Sequence, residues 1–232
     1  LKKDKEFIVG QRIEWIYGKI ANLGDEFLKG VAFSIQKSLN QGNFFKLIRN
    51  ISSFLPGAFL MLPFFSTSGH MFSNRQLLMD IQKRFGCLPE SNEKKILWFS
   101  DTIDDLNGVS VTVSQVRKIA AQLDKKVHIV GASPKLKGQD NFIDLPIIYE
   151  FSLPYYEKQR IQIPSILRSL ETIVEENPDE IIVSTPGPIG LLGVLAAKIL
   201  HIPCSGIYHT DFTMQLESIQ EDESFSGLVE GF

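Results

Sequence analysis

The sequence is poor in the residues that hold metal ions or form disulfides. It has two cysteines and four histidines among 232 residues. Cys87 and Cys204 lie far apart and belong to no metal-binding or redox motif. These absences argue against a disulfide-stabilised secreted domain and against a zinc-binding module. We therefore expect a cytoplasmic protein with no metal site in these residues, the inner face of the membrane being the alternative location.

A large excess of positive charge is also absent. The formal net charge is −3, which argues against a nucleic-acid-binding protein that works by bulk positive charge. The charge is unevenly distributed, because residues 1–95 have 14 basic and 8 acidic side chains and residues 96–232 have 10 and 19. This change of sign predicts a domain boundary near residue 92, between a segment 1–92 and a domain 93–232.

The sequence has no long uninterrupted hydrophobic run. The most apolar stretch covers residues 54–65, and Pro56, Gly57 and Pro63 interrupt it. It is too short to span a membrane. Burial within the protein is the preferred interpretation, and contact with a lipid surface is the alternative.

Residues 1–92 have the apolar spacing of an all-helical segment. A first helix is predicted from Asp25 to a stop at Gly42, and a second from Phe45 to Pro56. A third is predicted from a cap at Ser73 or Asn74 through Phe85 to Gly86. We interpret this segment as the end of an upstream domain, and the chain as part of a longer protein.

Residues 93–232 alternate between strand and helix patterns. This alternation is typical of an α/β fold with a Rossmann-like parallel sheet and right-handed crossovers. In such sheets, ligands bind beyond the carboxyl ends of the strands, so the loops after Phe99, Val183 and Tyr208 should share one crevice. Strands are predicted at 96–99, 127–130, 143–151 (one or two), 180–183 and 204–208, and helices at 109–123, 166–174 and 186–200.

Each of these three loops has a functional and a purely structural interpretation. Gly108, at a helix entrance, would let backbone N–H groups approach an anion, or it would merely complete a turn with Asn107. The Pro/Gly-rich loop 184–190 is typical of a rigid turn that starts a helix. His209, at a strand end, would orient a sugar hydroxyl or act as an acid or base, or it would be structural.

Taken together, the three loops resemble the N-terminal half of a family 4 retaining glycosyltransferase of the two-Rossmann (GT-B) type. The resemblance covers roughly residues 95–220. Its motifs are Phe99-Ser-Asp-Thr with Asn107-Gly-Val109, Pro178-Asp179 with Ile181-Ile-Val-Ser-Thr-Pro-Gly-Pro-Ile-Gly190, and Ile202-Pro203 with Tyr208-His-Thr-Asp-Phe212. Residues 147–160 also resemble the linking stretch of that family before its middle helix.

The resemblance implies roles for individual residues. It implies that His209 assists catalysis beside the donor sugar, and that the loop Asn107, Gly108 and Val109 approaches the donor diphosphate. Asn107 stands where some members have the first glycine of a Gly-Gly pair. Contacts to acceptor or sugar are implied for Asp104, Thr185, Gly187, Thr210 and Asp211.

The resemblance also implies an activity and its partners. The donor is a nucleotide-diphosphate sugar and the acceptor a lipid or glycan, with retention of configuration and without a metal or further cofactor. A C-terminal domain of the same chain, with a Glu-x₇-Glu motif, would hold most of the donor. These 232 residues alone are therefore expected to be inactive and to bind nucleotide sugars no tighter than about millimolar.

Other functions remain open on the sequence. One is a non-catalytic module that binds a nucleotide or an acceptor, with no role for nucleic acid and with peripheral membrane contact as an option. Another is the tail of a metal-dependent phosphoesterase, because Leu62-Pro-Phe-Phe65 and residues 75–85 resemble a segment that follows PHP-type phosphoesterases in fused proteins. The metal ligands of such a centre would lie upstream of Leu1.

Overall fold

The computed structural model describes residues 2–42, 44–86, 93–104, 108–153 and 156–207. Two long helices come first and a mixed series of strands and helices follows. The helices are α1 (Lys2–Asn40), α2 (Phe44–Arg84), α3 (Gly108–Gln122), α4 (Ile166–Glu176) and α5 (Pro188–Leu200). The strands are β1 (Ile96–Phe99), β2 (Val127–Gly131), β3 (Phe142–Asp144), β4 (Ile147–Leu153), β5 (Tyr156–Pro164), β6 (Glu180–Val183) and β7 (Cys204–Gly206).

Five of the strands form one parallel sheet in the order β3-β2-β1-β6-β7. The chain moves outward from β1 to β3 and then returns to the other side of β1 with β6. The strand order therefore reverses between β1 and β6, as in Rossmann-like sheets. The predicted α/β fold with a parallel sheet and a preceding helical segment is confirmed.

Helices cover both faces of the sheet, and its central strands are accordingly apolar on both faces. Leu97 and Phe99 of β1 face a core shared with α4 and α5, whereas Trp98 faces a second core with Val113 of α3. Helix α5 approaches β1 closely, since a Cβ atom added at Gly193 would lie 2.8 Å from the Phe99 ring.

The helical segment differs from the prediction. It forms two long helices rather than three, and α2 continues for 41 residues through Pro56, Ser73 and Asn74. The predicted stop at Pro56 and the predicted cap at Ser73 or Asn74 are therefore wrong. An interior proline costs about 3 kcal/mol, and contacts of α2 with other elements contribute to offsetting this cost.

Two glycines of α2 show how close this packing is. A Cβ atom added at Gly57 would lie 2.1 Å from the Phe27 ring of α1, and one added at Gly69 would lie 2.6 Å from the Ile199 carbonyl oxygen of α5. Helix α2 therefore packs against both α1 and α5.

Polar contacts also join the helical segment to the α/β part. The Tyr17 hydroxyl donates to the Leu167 carbonyl at 2.7 Å, and the Arg168 guanidinium donates to the buried Asp25 carboxylate at 3.1 Å. Phe72 of α2 belongs to the same core cluster as Leu97. The boundary predicted near residue 92 lies outside the described residues, and the described parts on its two sides pack against each other.

The apolar stretch 54–65 lies within α2. Phe65 packs against the core, as the burial interpretation expects, whereas Leu62 is 51% exposed. Within the described ranges, no helix is both long enough and apolar enough to cross a membrane.

Two further segments differ in detail from the expected pattern. The expected linking stretch 147–160 lies in a separate antiparallel pair of strands, β4 and β5. The last strand, β7, is shorter than predicted and ends at Gly206. Residue 208, with which the third predicted loop begins, lies outside the described residues.

Candidate functional site

The loops after β1 and β6 meet at the carboxyl edge of the sheet, where the strand order reverses. The Ser184 backbone N–H donates to the Phe99 carbonyl at 3.1 Å, so the two strands are still paired as they end. Asp101 and Thr185 follow directly and are in contact. These two loops therefore meet at one edge of the sheet, whereas the third loop of the predicted crevice lies outside the described residues, so the shared crevice stays a prediction.

The Asp101 carboxylate closes the amino end of α5. It accepts hydrogen bonds from the backbone N–H of Ile189 at 2.7 Å and of Gly190 at 3.0 Å. The Thr185 hydroxyl donates to the same carboxylate at 2.6 Å and accepts from the Asp101 backbone N–H at 2.8 Å. N–H groups at a helix start lack intrahelical partners, and here a carboxylate from a different loop satisfies two of them.

Two glycines leave room for the Asp101 carboxylate and the Thr185 backbone at the amino end of α5. A Cβ atom added at Gly187 would lie 2.5 Å from the Asp101 carboxyl carbon, and one added at Gly190 would lie 1.7 Å from the Thr185 carbonyl oxygen. The described contacts of Thr185 and Gly187 are thus internal to the protein. Their contact with an acceptor or sugar stays a prediction.

The buried position of Asp101 at the start of α5 changes the pKa of its carboxyl group. Burial raises the pKa of the Asp101 carboxyl above its ordinary value, although hydrogen bonds from Thr185, Ile189, Gly190 and Gly187 oppose the rise. A helix amino end favours negative charge, and at α5 the protein supplies that charge itself. An external anion would have to displace Asp101 to reach this helix end.

The amino end of α3 is different, because no side chain of the described residues is recorded as a cap at Gly108, where the helix begins. Gly108 is exposed, and a Cβ atom added there would meet nothing within 4 Å. Val109 follows it in the helix and packs against the Trp98 core cluster. Ser110 donates to the Ile103 carbonyl at 3.0 Å, which ties the helix start to the loop after β1.

Asp104 contacts the loop that follows β2. The Ser133 hydroxyl donates to its carboxylate at 3.0 Å, and the Lys135 ammonium lies 3.7 Å from the same oxygen. Asp104 is nevertheless exposed. It therefore links two loops at the carboxyl edge of the sheet, and its contact with an acceptor or sugar stays a prediction.

Four of the predicted site residues, Asn107, His209, Thr210 and Asp211, lie outside the described residues. Their predicted roles stay predictions. Asp101, in contrast, organises the site but had no assigned role in the sequence prediction. The available signal was an aspartate directly after a buried strand that borders the point of reversal.

Comparison with known proteins found no match to a protein-family model, a curated protein or a solved structure. The likeness to family 4 glycosyltransferases therefore rests on the motifs quoted above. In the part of the chain that the structure describes, no three His, Cys, Asp or Glu side chains group together as metal ligands would.

Proposed function

We propose that this chain forms the acceptor-side half of a retaining glycosyltransferase that uses a nucleotide-diphosphate sugar. The observation that carries the proposal is the contrast between two helix ends at one edge of the sheet. The amino end of α5 is filled by Asp101, whereas none of the described residues lies within 4 Å of a Cβ atom added at Gly108, where α3 begins. The donor diphosphate would therefore approach α3.

The chemistry of sugar transfer needs such an anion site. As the bond between sugar and diphosphate breaks, negative charge develops on the leaving phosphate. Backbone N–H groups at the start of α3 would stabilise this charge, because a helix amino end favours a negative charge and its orientation is fixed before the reaction. A lipid or glycan acceptor would enter along the side where Asp104 is exposed.

The remaining roles come from the resemblance. His209 would lie beside the donor sugar and assist the transfer, with Thr210 and Asp211 next to it. A C-terminal domain of the same chain would hold the nucleotide and exclude the water that would otherwise hydrolyse the donor.

The test is an assay of the gene product that contains this chain. We expect release of nucleoside diphosphate from a uridine or guanosine diphosphate sugar, dependent on a lipid or glycan acceptor, with the anomeric configuration retained in the product. His209→Ala should lower kcat about 100-fold or more and leave nucleotide affinity almost unchanged. Nucleotide-sugar binding without turnover under any acceptor would instead support the non-catalytic binding module.

A further inference from the structure

Helix α3 has an arginine on its buried face. The buried residues of this helix are Ser110, Val113, Arg117 and Ala120, and Arg117 is only 8% exposed. Arg117 follows Val113 by four residues, so it occupies a position where the helical spacing calls for an apolar side chain. A charged group at such a position is costly unless something pairs with it.

Among the described residues, Arg117 has one recorded hydrogen-bond acceptor and no ion-pair partner. Its Nη1 donates to the Asp140 carbonyl at 3.0 Å, whereas its buried Nε has no hydrogen-bond partner. None of the ion pairs among the described residues includes Arg117. A guanidinium has five N–H donors arranged as a planar fork, and the one acceptor recorded for them among the described residues is a neutral carbonyl.

A pocket lies beside this guanidinium. It has a volume of about 360 Å³, and Arg117, Lys118, Gln122, Gly138, Gln139 and Asp140 are among its lining residues. This volume lies in the range of small-molecule sites, about 300–1,000 Å³. Lys118 adds a second positive charge, and Asp140 is the one acidic residue of the lining, so the ionised side chains there sum to a positive charge.

The pocket is at the opposite edge of the sheet from the proposed active site. Arg117 lies near the carboxyl end of α3, where the chain turns towards the start of β2, and Asp140 lies just before the start of β3. The amino ends of parallel strands share one edge. Gly108 and Asp101, in contrast, lie at the edge formed by the carboxyl ends.

We propose that this pocket binds a small oxyanion, a phosphate or carboxylate group, through the Arg117 guanidinium and the Lys118 ammonium. A guanidinium binds either group through short charge-assisted hydrogen bonds. The bound oxyanion would supply Arg117 with a negatively charged hydrogen-bond partner, which the ion pairs among the described residues do not include. The proposal does not depend on sugar transfer, because it concerns a different edge of the sheet.

The test is calorimetric titration of the gene product with inorganic phosphate and, separately, with acetate, at constant ionic strength with chloride as the background anion. We expect saturable binding of at least one of them, with a dissociation constant of about 1 mM or tighter. Arg117→Lys keeps the charge and loses the fork, so it should weaken binding about tenfold or more. Lys118→Gln should weaken binding about two- to fivefold.

Lys198→Gln, which removes one positive charge from an exposed position on α5, is the matched control and should leave the affinity unchanged. Should Arg117→Lys fail to fold, the comparison of Lys118→Gln with Lys198→Gln still decides. Absence of saturable binding to both anions would overturn the proposal. Binding that Lys118→Gln and Lys198→Gln weaken equally would overturn it as well, because the anion would then respond to overall charge rather than to this pocket.

Discussion

Asp101 and Thr185 are 84 positions apart in sequence and joined by two hydrogen bonds, one in each direction. This pair fixes the loop after β1 to the loop after β6 at the point where the strand order reverses. Because the Asp101 carboxylate also accepts from Ile189 and Gly190, the same pair fixes the start of α5. One carboxylate therefore joins the two loops and the start of α5 at this edge of the sheet.

Asp101→Ala should destabilise the protein. The substitution leaves two backbone N–H groups at the start of α5 and the Thr185 hydroxyl without their acceptor. We expect a loss of about 2 kcal/mol in the free energy of unfolding, measured by urea denaturation. Asp80→Ala on the exposed face of α2 is the control and should change it by less than about 0.5 kcal/mol. Equal effects of the two substitutions would contradict the role given to Asp101.

The contribution of Asp101 to the free energy of unfolding should depend on pH. Its pKa is raised in the folded protein, chiefly by burial, so the folded state binds the proton more tightly than the unfolded state. The resulting stabilisation is fully present below the unfolded pKa, about 3.9, and is lost as pH rises through the folded value. The wild type should therefore gain stability relative to Asp101→Asn as pH falls towards 4. Urea denaturation of both proteins at several pH values tests this. If Asp101→Asn instead became more stable relative to the wild type as pH falls, the predicted direction would be wrong.

Gly190→Ala should be strongly destabilising because of a backbone clash. The new Cβ atom would lie 1.7 Å from the Thr185 carbonyl oxygen, which cannot move without disturbing the Asp101 contact. We expect a loss of about 3 kcal/mol. Gly30→Ala is the control, since nothing lies within 4 Å of a Cβ atom there, and it should stabilise α1 by about 0.5–1 kcal/mol. Thermal unfolding of both variants would show whether they change stability in opposite directions.

The ion pair between Arg168 and Asp25 should contribute to the packing of α1 on α4. Arg168→Met leaves the buried Asp25 carboxylate without its cation, and we expect a loss of about 1–3 kcal/mol in the free energy of unfolding. Adding Asp25→Asn to that variant should recover much of the loss. Lys29→Met breaks the exposed pair with Glu26 and should cost less than about 1 kcal/mol. A double variant no more stable than Arg168→Met would argue against this pairing.

The sheet could be predicted from sequence because its signals are local. Strands β1 and β6 are short apolar runs, and helices α3 and α5 follow them with clear apolar spacing or a Pro/Gly start. Parallel pairing then follows from the alternation of strand and helix. No pairing between distant side chains is needed to reach that result.

Helix α2 could not be predicted in the same way. A proline such as Pro56 breaks an isolated helix. Whether the helix continues in the folded protein depends on contacts with other elements, which the local sequence does not show. Gly57 beside Phe27 and Gly69 beside Ile199 are contacts between separate elements. Strand β5 was missed because it begins with polar residues and alternates only near Ile161 and Ile163.

The same distinction applies to the candidate site. Gly108 was identified because a glycine between a strand and a helix is a local signal. Asp101 was not, because its role appears only when the loops after β1 and β6 are brought together. Gly187 and Gly190 are likewise explained only by tertiary contacts, because a Cβ atom at either position would clash with Asp101 or Thr185.

The most direct test of the account is the affinity of the gene product for uridine and guanosine diphosphate, measured by calorimetry in the wild type and in Gly108→Val. A Cβ atom at this position meets no atom of the described residues within 4 Å, so we expect the substitution to leave the unfolding temperature almost unchanged. It would, however, obstruct the approach of a diphosphate to α3, and we predict at least about tenfold weaker binding. Gly30→Val, at an equally open position on α1, should bind as the wild type does. Unchanged affinity in Gly108→Val, or no diphosphate binding by the wild type, would contradict the claim that the open end of α3 is the donor site.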